Sequence, residues 1–322
     1  MGRTLIKIAQ SKHFPQILLL LILLVMGVVL SFLSPYFLTW SNFYNILDQT
    51  SVDIILAIGM AFVIASGGID LSIGSVLAYS GIIMAFAMKA GIPVPLAVAL
   101  GILAGVIIGL CSGLLISRLR LNPLVTTLGF MSIARGLALI LTKSSAIFGF
   151  PNAFKFIGSG RVGPVNVPII IALVIVIISY ILLNKTKWGY YTLALGGNEE
   201  ALRRAGVATY KYRTSIYVFC ALMAAIAGMI TIARLNSADP LAGWMVETDA
   251  IAAVVLGGTS LSGGRGSIVG AVLACLVLGM LDNGLILMAI PAYYQKLFCG
   301  LIIIIALVAT ELRNRKEHRN FV

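Results

Sequence analysis

Long apolar stretches separated by short polar ones run along almost the whole chain. The first, at about residues 17–34, carries no charge and is long enough to cross the roughly 30 Å hydrocarbon core of a membrane. Nine more follow, at about residues 51–67, 71–88, 94–116, 123–142, 167–183, 214–233, 250–262, 267–287 and 294–310. The pattern predicts an all-α polytopic membrane protein with about ten transmembrane helices.

The longest polar interruption, residues 184–213, divides this transmembrane domain, which we place at residues 17–310. The two halves on either side of it are residues 51–183 and 214–310. Residues 1–16 and 311–322 are predicted to be cytoplasmic tails, because an even number of crossings puts both ends on the same side.

The middle of the polar interruption has the features of a short helix. A break at Gly196 and Gly197 is followed by the N-cap residue Asn198. The first turn is acidic (Glu199, Glu200), the last turn is basic (Arg203, Arg204), and Gly206 terminates the helix. So short a helix is marginal in water by itself. We therefore expect either a capped surface turn or a helix that docks on a soluble partner through the apolar residues Ala201, Leu202 and Ala205.

Composition excludes a soluble globular protein, since 60% of the residues are hydrophobic and only 11% are charged. The net charge of +12 does not indicate nucleic-acid binding, because the basic residues are scattered through the loops. Most of the 23 Lys and Arg residues fall in segments on the predicted side of the tails. The positive-inside rule makes that side cytoplasmic and places residues 184–213 there.

An internal repeat supports two halves of the same orientation. Asp53, the Ser-Gly-Gly at 66–68 and Gly74 recur, without a gap, as Asp249, the Ser-Gly-Gly at 262–264 and Gly270. Such duplication is common in transporters. Chance similarity between glycine-rich apolar helices is the alternative.

Several residues at membrane depth are candidates for a translocation pathway. Glycine pairs that break apolar helices are tolerated there only when buried in protein or beside a cavity, and the Asp-Asn pair offers hydrogen bonds to a hydroxylated solute. The candidates are Gly67, Gly68, Asp70, Ser72, Gly263, Gly264, Asp282 and Asn283.

Some of these charged residues have a structural alternative. Asp70 can instead be the N-cap of the third span, and Asp53 and Asp249 are either N-caps or pathway residues. Arg135, in the middle of the fifth span, needs a carboxylate or several carbonyl groups around it. The sequence contains no catalytic or metal-binding motif, so we expect neither enzyme activity nor a metal site.

Three long segments carry a resemblance to a known family. They read SVDIILAIGMAFVIASGGIDLSIGSVLA, ALGGNEEALRRAGV and DAIAAVVLGGTSLSGGRGSIVGAVLACLVLGMLDNGL. From about Ser34 to Ala306 the chain resembles the permease subunits of bacterial monosaccharide ATP-binding-cassette (ABC) importers, most closely those for ribose. Where the family often has Asn-Asn-Gly, this chain has Asp282-Asn283-Gly284.

The resemblance implies a function, partners and sites. It implies an inner-membrane permease that moves a monosaccharide, ribose first, from the periplasm or cell exterior into the cytoplasm. The permease would pair with a second permease copy, identical or different, and receive sugar from a periplasmic or surface-tethered binding protein. A separate cytoplasmic ATPase with two nucleotide-binding modules would hold ATP-Mg, and this chain would bind no cofactor. The family's coupling segment falls on Gly197, Asn198, Glu199, Glu200, Ala201, Arg203 and Gly206.

Other solutes and another mechanism stay open. Xylose, arabinose, galactose or a ribose-like signal such as autoinducer-2 are alternative cargoes. A proton-coupled secondary transporter is the more distant alternative. His13 and His318 lie in the predicted tails and not in the spans, which argues against proton coupling.

Overall fold

The structure is a computed structural model that describes residues 14–291 together with residues 294, 297, 300, 301 and 304. The two predicted tails and the predicted tenth span, residues 294–310, therefore lie largely outside the described residues.

Eleven helices and four two-residue strands make up the described part of the chain. They are α1 (Phe14–Leu33), α2 (Trp40–Ala65), α3 (Ile73–Lys89), α4 (Val94–Arg118), α5 (Pro123–Thr142), β1 (Ile147–Phe148), α6 (Asn152–Ser159), β2 (Arg161–Val162), β3 (Val165–Asn166), α7 (Val167–Lys185), α8 (Lys187–Arg204), α9 (Thr209–Leu235), β4 (Ser237–Ala238), α10 (Val246–Leu256) and α11 (Ile268–Leu287). The antiparallel pairs are β1 with β4 and β2 with β3.

Seven of the described helices, α1, α2, α4, α5, α7, α9 and α11, are long and apolar enough to cross a membrane. The apolar helix α3 is shorter, with 17 residues. The 11-residue helix α10 spans only about 17 Å, roughly half of the hydrocarbon core. The chain is thus an all-helical, multi-pass membrane protein, and the predicted count of ten crossings stays a prediction.

Three predicted spans have different ends in the structure. Helix α2 begins at Trp40 and not near residue 51, because polar side chains in its first turns pair with distant residues, as Asn42 does with Asn283. Helix α9 begins at Thr209, five residues before the predicted span. The predicted eighth span, 250–262, ends at Leu256, because Gly258 has a left-handed backbone (φ +89°) and residues 257–267 are irregular.

Helices α2 and α9 form the centre of the bundle. Helix α9 packs along α4, α2 and α3, whereas α2 also contacts α7, α10 and α11. The outer helices α1, α5 and α7 expose most of their apolar side chains. Such surfaces suit lipid or another membrane-embedded chain.

A row of glycines on α4 allows the closest helix contact. Gly105, Gly109 and Gly113 recur every fourth residue, and each faces a side chain or backbone atom of α9. A methyl group on Gly109 would overlap Ala221, and one on Gly113 would lie 3.0 Å from the carbonyl oxygen of Thr214. Small residues at this spacing let two helix backbones approach closely in a membrane. Helix α4 thereby fixes the position of α9, whose first turns carry the residues that hold the central polar segment.

Candidate functional site

The first part of the central polar segment is a helix anchored in the bundle. Helix α8 begins after Thr186, whose hydroxyl accepts the N–H of Gly189 at 3.2 Å. Trp188 packs against the rings of Phe62 on α2 and Phe219 on α9, with centroid distances of 4.8 and 5.5 Å, and these two rings also contact each other. The sequence did not predict this helix, because the ring contacts that hold it join residues far apart in the chain.

The short helix predicted from the caps is present. Helix α8 is broken at Asn198, whose backbone is extended (φ −162°) and whose side-chain oxygen accepts the N–H of Ala201 at 2.9 Å. The chain leaves the helix through Gly206 in the left-handed region, with φ +82°. Asn198 is therefore the N-cap and Gly206 the terminating residue, as predicted. We call residues 198–206 the capped helix.

Ion pairs fix the capped helix internally and to α9. Glu200 accepts hydrogen bonds from Arg203 and Arg204, which lower the pKa of its carboxyl below its usual value. Glu199 pairs with Arg213, a mostly buried residue in the first turns of α9. Ala201 and Ala205 are exposed, whereas Leu202 is half-buried and packs against the core, so only the two alanines of the predicted apolar face remain uncovered by the described part of the chain.

Four glycines bring three separate backbone segments into contact just before the capped helix. Gly67 follows the end of α2, Gly263 and Gly264 lie between α10 and α11, and Gly196 ends the first part of α8; we call these four residues the glycine junction. The N–H of Gly264 donates to the carbonyl oxygen of Ala65 at 2.9 Å. A methyl group on Gly263 would lie 2.7 Å from Cα of Gly196 and 2.9 Å from the nitrogen of Gly67.

Two of the predicted pathway residues form a buried polar turn beside the junction. The carboxylate of Asp70 accepts the backbone N–H of Ser72 at 2.9 Å and its hydroxyl at 2.6 Å. Helix α3 begins after Ser72, so the alternative that Asp70 is its N-cap is wrong. The extra turn at residues 71–72 separates Asp70 from the helix. Gly68 lies against the hydroxyl of Tyr217 on α9.

A cavity of about 80 Å³ is lined by three carboxylates, of which Asp53 is exposed and Asp249 and Asp282 are half-buried. Asp53 comes from α2, Asp249 from the first turn of α10 and Asp282 from α11. The other lining residues are Leu56, Val246, Ala250, Ala253, Cys275, Leu278 and Gly279. Carboxylate oxygens accept hydrogen bonds from hydroxyl groups. The arrangement can therefore hold a small hydroxylated molecule once the cavity widens.

Asp53 and Asp249 are not N-caps. The N-cap of α2 is Thr39 and that of α10 is Met245, so both carboxylates lie within helices. Asp53 is twelve residues before the end of α2, about 18 Å along the helix axis from the glycine junction. The repeat in the sequence was the signal that pointed to these two residues together.

Asn283, next to Asp282, makes a different contact. Its side-chain amide and that of Asn42 on α2 donate to each other, both at 2.9 Å, and both residues are buried. The structure thus separates the predicted pathway residues into three places, which are the cavity, the glycine junction with its polar turn, and this amide pair. Only Asp282 among them lines the cavity.

Arg135, which we predicted to need a carboxylate or several carbonyl groups around it, is surrounded by carbonyl groups. Its guanidinium donates to the backbone oxygens of Pro240 and Ala242 at 2.5 and 2.9 Å and lies over the ring of Trp244. The loop after α9 is thereby tied to α5, at the end of the bundle opposite the capped helix.

A helical membrane bundle with a carboxylate-lined cavity and an exposed helix in its central loop has the general features of a transport protein of the permease class. Comparison with known proteins gives the family. The chain belongs to the family described as the permease component of branched-chain amino acid transport systems, which matches residues 42–307.

Curated relatives cover nearly the whole chain. A ribose import permease of Escherichia coli (strain K12) is 41% identical over 302 residues, covering 92% of this chain and 93% of its own. A ribose import permease of Bacillus subtilis (strain 168) is 42% identical over 288 residues and 89% of each chain. A D-allose transport system permease of E. coli is 35% identical over 293 residues and 90% of each chain. No solved structure matches the chain.

Proposed function

We propose that this chain is the membrane permease of an ABC importer that carries a monosaccharide, ribose first, into the cytoplasm. Its similarity to ribose import permeases along nine-tenths of its length supports the cargo. The observation that carries the proposal is that helix α2 connects two features. Its residue Asp53 lines the carboxylate-lined cavity, and its end contacts the glycine junction beside the exposed capped helix.

In this proposal ATP is bound and hydrolysed by a separate cytoplasmic ATPase, as ATP-Mg, on two nucleotide-binding modules. The uncovered face of the capped helix, at Ala201 and Ala205, is the surface on which the ATPase docks. A periplasmic or surface-tethered sugar-binding protein delivers the sugar, and a second permease copy packs against the exposed apolar outer helices. The site residues for coupling are Gly197, Asn198, Glu199, Glu200, Ala201, Leu202, Arg203 and Gly206.

The two-repeat architecture with ten crossings is part of the proposal. Gly67 and Gly263, equivalent in the repeat, have the same left-handed φ of +79°. Asp53 and Asp249, also equivalent, line one cavity. Ten crossings place the tails and the capped helix together in the cytoplasm of an inner-membrane protein.

The pathway proposed for the sugar passes the cavity and then the glycine junction. A neutral sugar needs only hydrogen-bond acceptors and donors in the cavity, and three carboxylates accept from its hydroxyls. A cavity of about 80 Å³ has room for a few water molecules and not for a pentose, so the helices that carry Asp53 and Asp282 must separate during transport.

A proton-coupled secondary transporter is the second candidate, and the same three carboxylates favour it, because intramembrane acids can relay protons. Reconstituted vesicles distinguish the two. With the ATPase and a loaded binding protein present, we expect labelled ribose uptake that requires ATP and continues with a protonophore.

Uptake that persists without the ATPase and stops with a protonophore would instead establish the secondary transporter. Competition by unlabelled xylose, arabinose, galactose and autoinducer-2 in the same vesicles tests the cargo. Ribose should compete best if the proposed cargo is right.

A further inference from the structure

Gly196 occupies a position that tolerates no side chain. A methyl group there would overlap both the carbonyl oxygen of Ala65, at the end of α2, and the backbone nitrogen of Gly264. It would also lie 2.9 Å from Cα of Gly263. Gly197, one residue later, is different, since its methyl group would have only the Cα of Gly264 within reach, at 3.9 Å.

The contacts of Gly196 are made by backbone atoms on both sides. Side chains in a packed core can change rotamer to absorb a small displacement. Two backbone segments in direct contact have no such adjustment, so a displacement of one is transmitted to the other. The hydrogen bond from Gly264 to Ala65 ties the two helix breaks to each other at the same point. The three segments are therefore held together without a flexible side chain between them.

The segments that meet at Gly196 lead to both ends of the proposed mechanism. On one side, the capped helix begins two residues after Gly196. On the other side, α2 carries Asp53, and the break at Gly263–Gly264 precedes α11, which carries Asp282. A displacement at Gly196 thus reaches two of the three helices that line the cavity.

We propose that Gly196 is the positioning residue through which movement of the capped helix reaches both helix breaks at once, with the glycine junction moving as one unit. This inference rests on the proposed ABC permease function. The inference adds a specific route. The movement is transmitted by the backbone contact at Gly196, which precedes the capped helix in the chain, and not by the side chains of the capped helix.

The variant Gly196→Ala tests the route in the complete complex with its ATPase and binding protein. We expect ATPase association and basal ATP hydrolysis to be kept, while sugar uptake per ATP hydrolysed falls at least tenfold. Gly129→Ala and Gly136→Ala, both in α5, are the matched controls, because a methyl group meets nothing within 4 Å at either position. Uptake per ATP equal to that of the controls would overturn the inference.

A second measurement leaves Gly196 intact and so remains informative if the variant does not fold. Spin labels at Gly197→Cys and Ser262→Cys report the distance across the junction, and labels at Arg204→Cys and Arg120→Cys report the distance from the capped helix to the loop between α4 and α5. On ATP binding we expect the second distance to change and the first to stay constant.

A junction distance that changes as much as the reference distance would refute transmission as one unit. If neither distance changes and the vesicles show no ATP-driven uptake, the proposed function fails and the inference fails with it. If ATP-driven uptake is present, an unchanged reference distance contradicts the inference alone.

Discussion

Two adjacent residues of α11, Asp282 and Asn283, contact different parts of the molecule. Both are polar residues in an apolar span and were predicted to act together in the pathway. In the structure Asp282 lines the cavity, whereas Asn283 forms a buried amide pair with Asn42, 241 residues away in the chain. Neighbours in a helix point in directions about 100° apart, so adjacent polar residues contact different partners.

The amide pair predicts a specific pattern of stability. Asn283→Leu leaves the amide of Asn42 buried without its partner, which should cost about 1–3 kcal/mol in the free energy of unfolding. The double variant Asn42→Leu/Asn283→Leu should recover only part of that loss, because it removes both buried amides but also the hydrogen bond from the Asn42 amide to the carbonyl oxygen of Phe37. Denaturant unfolding in detergent measures both.

Asp282→Leu is the comparison for this pair, and we expect it to lower sugar uptake strongly because Asp282 lines the cavity. Strictly additive costs in the asparagine double variant would show that the two amides do not interact. Sugar uptake that falls more for Asn283→Leu than for Asp282→Leu would return Asn283 to the pathway.

The sequence could indicate only part of the cavity. The repeat linked Asp53 with Asp249, but the sequence could not decide whether they are N-caps or pathway residues. That decision depends on where α2 and α10 begin. Those starts depend on contacts such as Asn42 with Asn283, which join residues far apart in the chain. Local pattern carries no information on such pairs.

At the scale of the elements, the capped helix was predictable because every signal for it is local. Asn198, the acidic first turn, the basic last turn and Gly206 all act within nine residues. The preceding part of α8 was not predictable, since it is held by the contacts of Trp188 with rings of α2 and α9. Continuous apolar spans such as α5 and α7 were predicted nearly to the residue because their length alone defines them.

The N-cap gives a graded prediction for ATPase docking. Asn198→Ala removes the acceptor for the N–H of Ala201 and should cost about 1 kcal/mol of helix stability, so ATPase affinity should fall about fivefold. Asn198→Asp keeps an acceptor oxygen and is the matched control. Co-purification or surface binding of the ATPase measures the effect, and equal affinity for the Ala and Asp variants would contradict docking through the capped helix.

At the scale of the whole molecule, polar contacts gather at two ends of the bundle. At one end, Arg135 binds the loop after α9 and Arg234 pairs with Asp48 at 3.5 Å. At the other end, Arg118 lies over the ring of Tyr210, which follows the capped helix by four residues in the chain. The charge bias in the sequence predicts that the first of these ends faces the outside and the second the cytoplasm.

The side of the membrane that holds the capped helix tests the account most directly, because only a cytoplasmic capped helix can meet an ATPase. In a cysteine-free version of the chain, Glu200→Cys and Lys89→Cys are exposed to a membrane-impermeant maleimide in intact cells. The account predicts that Lys89→Cys is labelled at once and that Glu200→Cys is labelled only after the membrane is opened. Labelling of Glu200→Cys in intact cells would contradict it.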